Sequence, residues 1–161
     1  MNFIKVNNKK YDYTLIDPYQ LIEFIRKKSK FILSLEKTIK IYRNEPNFVI
    51  TNLVMEYINS DADTQTKYSI IHKTNTIIST CRLIYGKNTG YINLVYTNPD
   101  YRGLKMCQNH IKNLIDLHKD SIKTYELHVD KDNIPAIKCY ENIGFEIIHL
   151  VKGDYLMRFC I

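Results

Sequence analysis

The sequence predicts an α/β fold of the mixed α+β kind, a mostly antiparallel sheet flanked by helices. Three observations predict it. Residues 67–97 hold three strand-like runs joined by short polar turns, residues 103–129 carry a helical stripe followed by another strand, and a short capped helix then leads into two closing strands.

Taken in order, Tyr11 to Ile16 alternates, with Tyr11, Tyr13 and Leu15 on one side and Asp12 and Thr14 on the other, which predicts a first strand. Asp17 and Pro18 open a helix over about residues 19–29 that turns Leu21, Phe24 and Ile25 inward. Ile50, Leu53, Val54, Tyr57 and Ile58, spaced by three and four, predict a second helix, while Phe31 to Tyr42 fits neither period. After the polar stretch 59–64, strands are expected at Lys67–Lys73, Thr76–Tyr85 and Tyr91–Thr97, an antiparallel meander turning at Thr74-Asn75 and at Gly86-Lys87-Asn88. A helix from Gly103 to His118 follows, with Cys107, Ile111, Leu114, Ile115 and His118 as its apolar stripe. The remaining elements are a strand at Lys123–Val129, a helix at Pro135–Ile143, and strands at Phe145–Val151 and Tyr155–Cys160 that turn at Gly153-Asp154.

A chain of 161 residues with 45% hydrophobic content is long enough to bury one core, so a single domain over residues 1–161 is expected. No stretch approaches the roughly 18–20 apolar residues that cross a membrane. The first residues lack the apolar segment of a secretory signal, so Cys81, Cys107, Cys139 and Cys160 are expected as free thiols in a soluble, cytoplasmic protein. Neither C-x-x-C nor His-x-x-x-His spacing occurs, and no structural metal is expected.

The net charge of +6 is concentrated near the start, where residues 1–45 hold 10 Lys/Arg against 5 Asp/Glu. Arg26, Lys27, Lys28 and Lys30 fall at the end of the first helix, where cations complement the helix dipole. Without an aromatic-interleaved basic motif, nucleic acid is not the expected partner, although a polyanion or acidic protein contact is the alternative use of these charges.

Two segments carry the chemistry. In the first, Asn133 is a good N-cap, Pro135 lies in the first turn, and Gly144 supplies the stop before Phe145. Ala136 and Tyr140 are four residues apart and share a face, so a small side chain leaves room beside the helix one turn from a phenol. In the second, Val95-Tyr96-Thr97 runs into Pro99, a turn at Arg102-Gly103 follows, and the next helix opens with unpartnered amides that attract phosphate. No G-x-S-x-G elbow accompanies the histidines, and Cys139 is about 100° from Tyr140 around its helix, so covalent catalysis is not expected.

The first segment resembles the N-x-x-A-x-x-x-Y-x-x-x-G-F signature of the GNAT superfamily of acyl-CoA N-acyltransferases, and the second resembles that family's coenzyme A loop, Q/R-x-x-G-x-G/A. Arg102 matches the first position of the loop, whereas Lys105 and Cys107 stand where the family usually has glycine and then glycine or alanine. The resemblance implies a parallel, splayed pair formed by Tyr91–Thr97 and Lys123–Val129, with acetyl-CoA as the cofactor. It also implies that Val95, Tyr96 and Thr97 contact the pantetheine arm, and that Arg102, Gly103, Leu104, Lys105, Met106 and Cys107 hold the diphosphate. Asn133, Ala136 and Tyr140 complete the implied cofactor site, with Tyr140 as the general acid.

The implied reaction is direct attack of a primary amine, on a small molecule or a protein, on the thioester. Many relatives place a glutamate at the start of the fourth strand, but no Asp or Glu occurs between residues 64 and 99 here. Tyr91 and Asn93 share a face and can order a water chain, and Glu126 or His128 can reach in from the next strand. The alternative is a non-catalytic module of the same fold that binds acyl-CoA or an acidic macromolecule. A homodimer through the final strands is a further expectation, and the acceptor's identity stays open.

Overall fold

The computed structural model describes residues 2–21, 64–74 and 76–161. The expected helices at 19–29 and around 50–58, together with the basic cluster Arg26 to Lys30, fall outside these residues, except that 18–21 are helical. That helical start is closed as a capping box: Gln20 N–H donates to Asp17 Oδ1 at 2.7 Å, and Asp17 N–H donates to Gln20 Oε1 at 3.1 Å.

Eight strands form one sheet in the order β1-β2-β3-β4-β5-β6-β8-β7. They are β1 Asn2–Val6, β2 Lys9–Ile16, β3 Gln65–Lys73, β4 Thr76–Gly86, β5 Asn88–Thr97, β6 Ile122–Asp130, β7 Glu146–Val151 and β8 Asp154–Cys160. Strand β1 is missing from the expected order. It is joined to β2 by Asn7 and Asn8, both at positive φ (49° and 63°), the backbone that a two-residue hairpin requires and that Asn tolerates. The strand expected at Tyr11–Ile16 is thus the second of a hairpin, and its alternation holds, with Tyr11 and Tyr13 buried.

Strands β2 to β5 pair antiparallel as a meander. Strand β5 then pairs parallel with β6, but only as far as Tyr91 opposite Glu126, so residues 92–97 diverge from β6. In the same segment the register between β4 and β5 slips between Thr80 and Arg82, which leaves one extra residue on β5. Leu94 there has φ of +48°, so the strand bulges where it leaves its neighbour.

Helix α1, Met106–His118, begins three residues later than expected, because Pro99–Tyr101 form a 3-10 turn and residues 102–105 a further turn before it. Its buried residues are Met106, His110, Ile111, Leu114 and Ile115. The expected stripe therefore shifts: Met106 and His110 enter it, while Cys107 and His118 sit at its edge. Helix α2 is Ile134–Glu141. Together α1 and α2 cover Leu83, Ile92, Tyr125, Leu127 and Met157. A second cluster gathers Ile4, Val6, Tyr11, Tyr13, Ile71 and Ile78 under Met106 at the head of α1. Each fully buried aliphatic side chain contributes about 1.5–3 kcal/mol, which fixes α1 on the sheet and so fixes where its N-terminus points.

Candidate active site

The loop before α1 is built from local signals. Asn98 caps the 3-10 turn by accepting from Asp100 N–H at 3.1 Å, and Arg102 Nε donates back to the Thr97 carbonyl at 3.2 Å. Gly103 follows at φ +74° with open space around it, a conformation that suits glycine. Lys105 occupies the N-cap position of α1 at φ +58°, with no side-chain cap on the helix. A non-glycine residue in that region stores about 1–3 kcal/mol of strain, which is the physical reason a glycine would be preferred there. The N-terminal hairpin braces this loop: Asn7 Nδ2 donates to the Leu104 carbonyl at 3.2 Å, and Tyr11 meets Tyr101 edge to face.

The uncapped first turn of α1 faces α2 across a cavity of about 670 Å³. Strand β5 contributes Val95 and Thr97 to its lining, the loop and α1 contribute Arg102, Gly103, Lys105, Met106 and Cys107, and α2 contributes Asn133, Ala136 and Tyr140. Ten of the residues singled out in the sequence therefore meet around one space. Tyr96 and Leu104 do not line it: the Tyr96 side chain is buried, and Leu104 is exposed. Unanticipated lining residues include Tyr101, Gln108, Lys138, Cys139 and Asn142. The sequence carried a signal for part of this set, since Gln108 lies in the first turn of α1 and Cys139 adjoins Tyr140.

Asn133 is the cap expected of it, with Oδ1 accepting from Ala136 N–H at 3.3 Å. Helix α2 ends where Gly144, at φ +116°, lets Gly144 and Phe145 N–H both reach the Tyr140 carbonyl, at 3.2 and 3.0 Å. Tyr140 is 6% exposed and packs on Phe145 with ring centroids 6.1 Å apart, so the phenol is held at the cavity wall by both its backbone and its ring. Cys107 and Cys139 meet here across the two helices. The contact draws Cys139 below the usual thiol range, while the same hydrogen bond and burial push Cys107 above it.

On the sheet, the side chains able to take up the amine's proton or to order water for it fall into three pairs. Glu126 is committed to Arg158, whose Nη2 and Nε donate to its Oε1 at 2.7 and 2.9 Å. Tyr91 Oη lies 2.9 Å from His128 Nδ1 beside the point where β5 and β6 part. Burial raises the Tyr91 phenol, with Arg82 opposing and Asp154 and Glu126 adding to the rise. Asn93 Oδ1 accepts from Arg82 Nε at 2.7 Å. Among the described residues no cluster of His, Cys, Asp and Glu could hold a metal, and no helix is long and apolar enough to cross a membrane.

A splayed parallel pair, an open helix N-terminus beside it and a phenol facing both from a capped helix define the architecture of an acyl-CoA-dependent acyltransferase. Residues 35–145 match the model of the acetyltransferase (GNAT) family, and the chain belongs to that family. In overall fold it is similar to the GNAT domain of S. lividans PAT (TM-score 0.73, 10% identity, 99% of this chain and 96% of that one). It is also similar to the PaiA N-acetyltransferase of Thermoplasma acidophilum, solved with coenzyme A (TM-score 0.63, 15% identity, 93% and 99%). A third likeness is to the N-acetyltransferase PseH of Campylobacter jejuni, solved with acetyl coenzyme A (TM-score 0.60, 18% identity, 92% and 99%). In sequence, 57 residues are 35% identical to a mycothiol acetyltransferase of Brachybacterium faecium, covering 35% of this chain and 17% of that relative's length. The family uses acetyl-CoA and acts on amine acceptors.

Proposed function

We propose that this protein is an acetyl-CoA-dependent N-acetyltransferase that transfers the acetyl group to a primary amine by direct attack on the thioester. One observation carries this: an uncapped helix N-terminus, a bulged strand leaving its parallel neighbour, and Tyr140 all border a single cavity. The residues fit the cofactor. The open first-turn amides of α1 with Arg102 and Lys105 suit a diphosphate, and Ala136 leaves room beside α2. Bound acetyl-CoA supplies an activated acyl group as a thioester.

The chain's own groups do the rest. The backbone at Val95 and Thr97 borders the cavity on the part of β5 that has parted from β6, where a pantetheine arm would run alongside it. Tyr140 holds a proton at its Oη for the departing sulfur; a free phenol near pKa 10 matches a thiol closely enough for efficient transfer. With Glu126 held by Arg158, the acceptor amine loses its proton to water ordered by the Tyr91–His128 pair. The protein works as a single cytoplasmic domain with its cysteines as thiols. It self-associates through β7, an edge strand whose Ile147, Ile148, Leu150 and Val151 are all exposed.

A thermal-shift titration with acetyl-CoA and desulfo-CoA tests the cofactor, and an amine screen with Tyr140→Phe tests the chemistry. Ligand at a hundredfold excess over Kd adds about 2.7 kcal/mol and should raise the Tm by about 5–10 °C. Tyr140→Phe should keep that shift while acetyl transfer falls about 10²–10⁴-fold. An absent shift at millimolar acetyl-CoA would sink the proposal and favour the polyanion-binding module, whose binding should weaken steeply with salt.

A further inference from the structure

Behind the cavity lies a buried polar chain to which neither the family match nor the proposed mechanism gives a role. His110 on α1 is 1% exposed, Ser69 on β3 and Ser79 on β4 are wholly buried, and Tyr13 on β2 is 6% exposed. His110 Nε2 lies 2.7 Å from Ser69 Oγ and 3.6 Å from Cys81 Sγ, and Nδ1 lies 2.8 Å from Ser79 Oγ. Ser79 Oγ in turn donates to the Tyr96 carbonyl at 2.9 Å, and Ser69 Oγ is 2.8 Å from Tyr13 Oη.

Counting protons fixes the direction of this chain. The Tyr96 carbonyl can only accept, so the single Ser79 hydroxyl proton is spent on it. Ser79 must then accept from Nδ1–H. Burial keeps the imidazole neutral, so Nε2 carries no proton and can only accept, with the Ser69 hydroxyl and the Cys81 thiol beside it as donors. On the Ser79 side each contact then holds one proton, and the chain ends on backbone. The opposite direction would leave the Ser79 and Tyr96 oxygens 2.9 Å apart with no proton between them.

We propose that His110, as the Nδ1–H tautomer, is a positioning residue of the cofactor site, tying α1 through Ser79 to the β5 backbone at Tyr96. The placement gives this tie its consequence. Tyr96 sits between Val95 and Thr97, the two β5 residues that line the cavity, directly after the bulge at Leu94. His110 lies one turn beyond Met106, at the head of the helix whose first turn faces the same space. One rigid polar link therefore sets the bulged strand against the open helix end. The functional half of this inference rests on the acetyl-CoA reading; the link itself does not.

Three measurements on the full chain test it. Nitrogen-15 NMR of the imidazole should show a neutral ring protonated at Nδ1 throughout pH 5–8; an Nε2–H ring or an imidazolium in that range would overturn the proposal. Amide exchange at residues 94–97 should quicken at least tenfold in Ser79→Ala, with β7 and β8 unchanged. His110→Asn, whose amide keeps a donor at about the Nδ1 position, should preserve slow exchange that His110→Leu loses, and equal exchange in all variants refutes the link. Coenzyme A affinity by calorimetry should fall about tenfold in Ser79→Ala, and an unchanged affinity refutes the positioning role. Failure of the wild type to take up coenzyme A defeats the cofactor reading instead, and the NMR and exchange results still decide the link.

Discussion

Lys105 shows how a single residue balances two effects. Its left-handed backbone at the head of α1 costs about 1–3 kcal/mol, and its ammonium stands beside the helix end proposed to take the diphosphate. Lys105→Gly should raise unfolding stability by about 1 kcal/mol and weaken coenzyme A binding severalfold at low salt, the affinity gap closing at high salt as screening removes the charge term. Denaturant titration and calorimetry at two ionic strengths check both halves. His110 sets a pH dependence. Burial pushes it down to about 3 from an ordinary 6.5, so the unfolded chain takes up a proton that the native state refuses. Its contribution is complete above about pH 6.5 and is lost as the pH falls toward 3, by up to about 1.4 kcal/mol per unit. Wild type should therefore lose stability between pH 6 and 4 more steeply than His110→Asn, which has no titrating group there; parallel profiles would refute this.

At the scale of elements, the cavity depends on where β5 and β6 pair and where they stop. Gly90 lies in the paired segment opposite Tyr125, and a Cβ there would meet Leu83 Cδ1 at 2.9 Å with Ile122 and Tyr125 at 3.3 Å. These neighbours are wholly buried and cannot swing away. Gly90→Ala should cost about 1–3 kcal/mol by overpacking, readable as a lower denaturant midpoint with an unchanged slope. Helix α2 was legible from cap and stop residues because those signals are local: Asn133, Pro135 and Gly144 each act within four residues, whereas α1 was legible from its apolar stripe. The start of α1 was misplaced because Gly103 looks like a helix entry, whereas the chain spends residues 102–105 turning first.

For the molecule as a whole, β7 closes one side of the sheet with all six residues exposed, four of them large and apolar. An apolar edge strand with unpaired backbone groups is a template for pairing with another strand. Wild type should sediment as a dimer and Leu150→Lys as a monomer with unaltered acetyl-CoA binding; a wild type that stays monomeric at high micromolar concentration would refute the interface. The opposite edge is closed by β1. Asn2 to Val6 is too short to show an alternating pattern, and the sequence signal of its hairpin is the Asn7-Asn8 turn rather than the strand. The buried chain through His110 was missed for a related reason. Its helix partners Met106 and Leu114 are each four residues away, so the stripe was readable, but Tyr13, Ser69 and Ser79 come from three separate strands.

By itself the sequence determined the order of most elements after residue 64, the capped helix that presents Tyr140 and the turn that exposes the head of α1, because capping, turn chemistry and periodicity act over a few residues. Only the tertiary structure decided that the two motif segments border one cavity, that Glu126 is held by Arg158 while Tyr91 pairs with His128, and that His110 is buried against three strands. Those facts depend on strand register and helix packing between residues tens of positions apart, and local pattern carries no record of such distances.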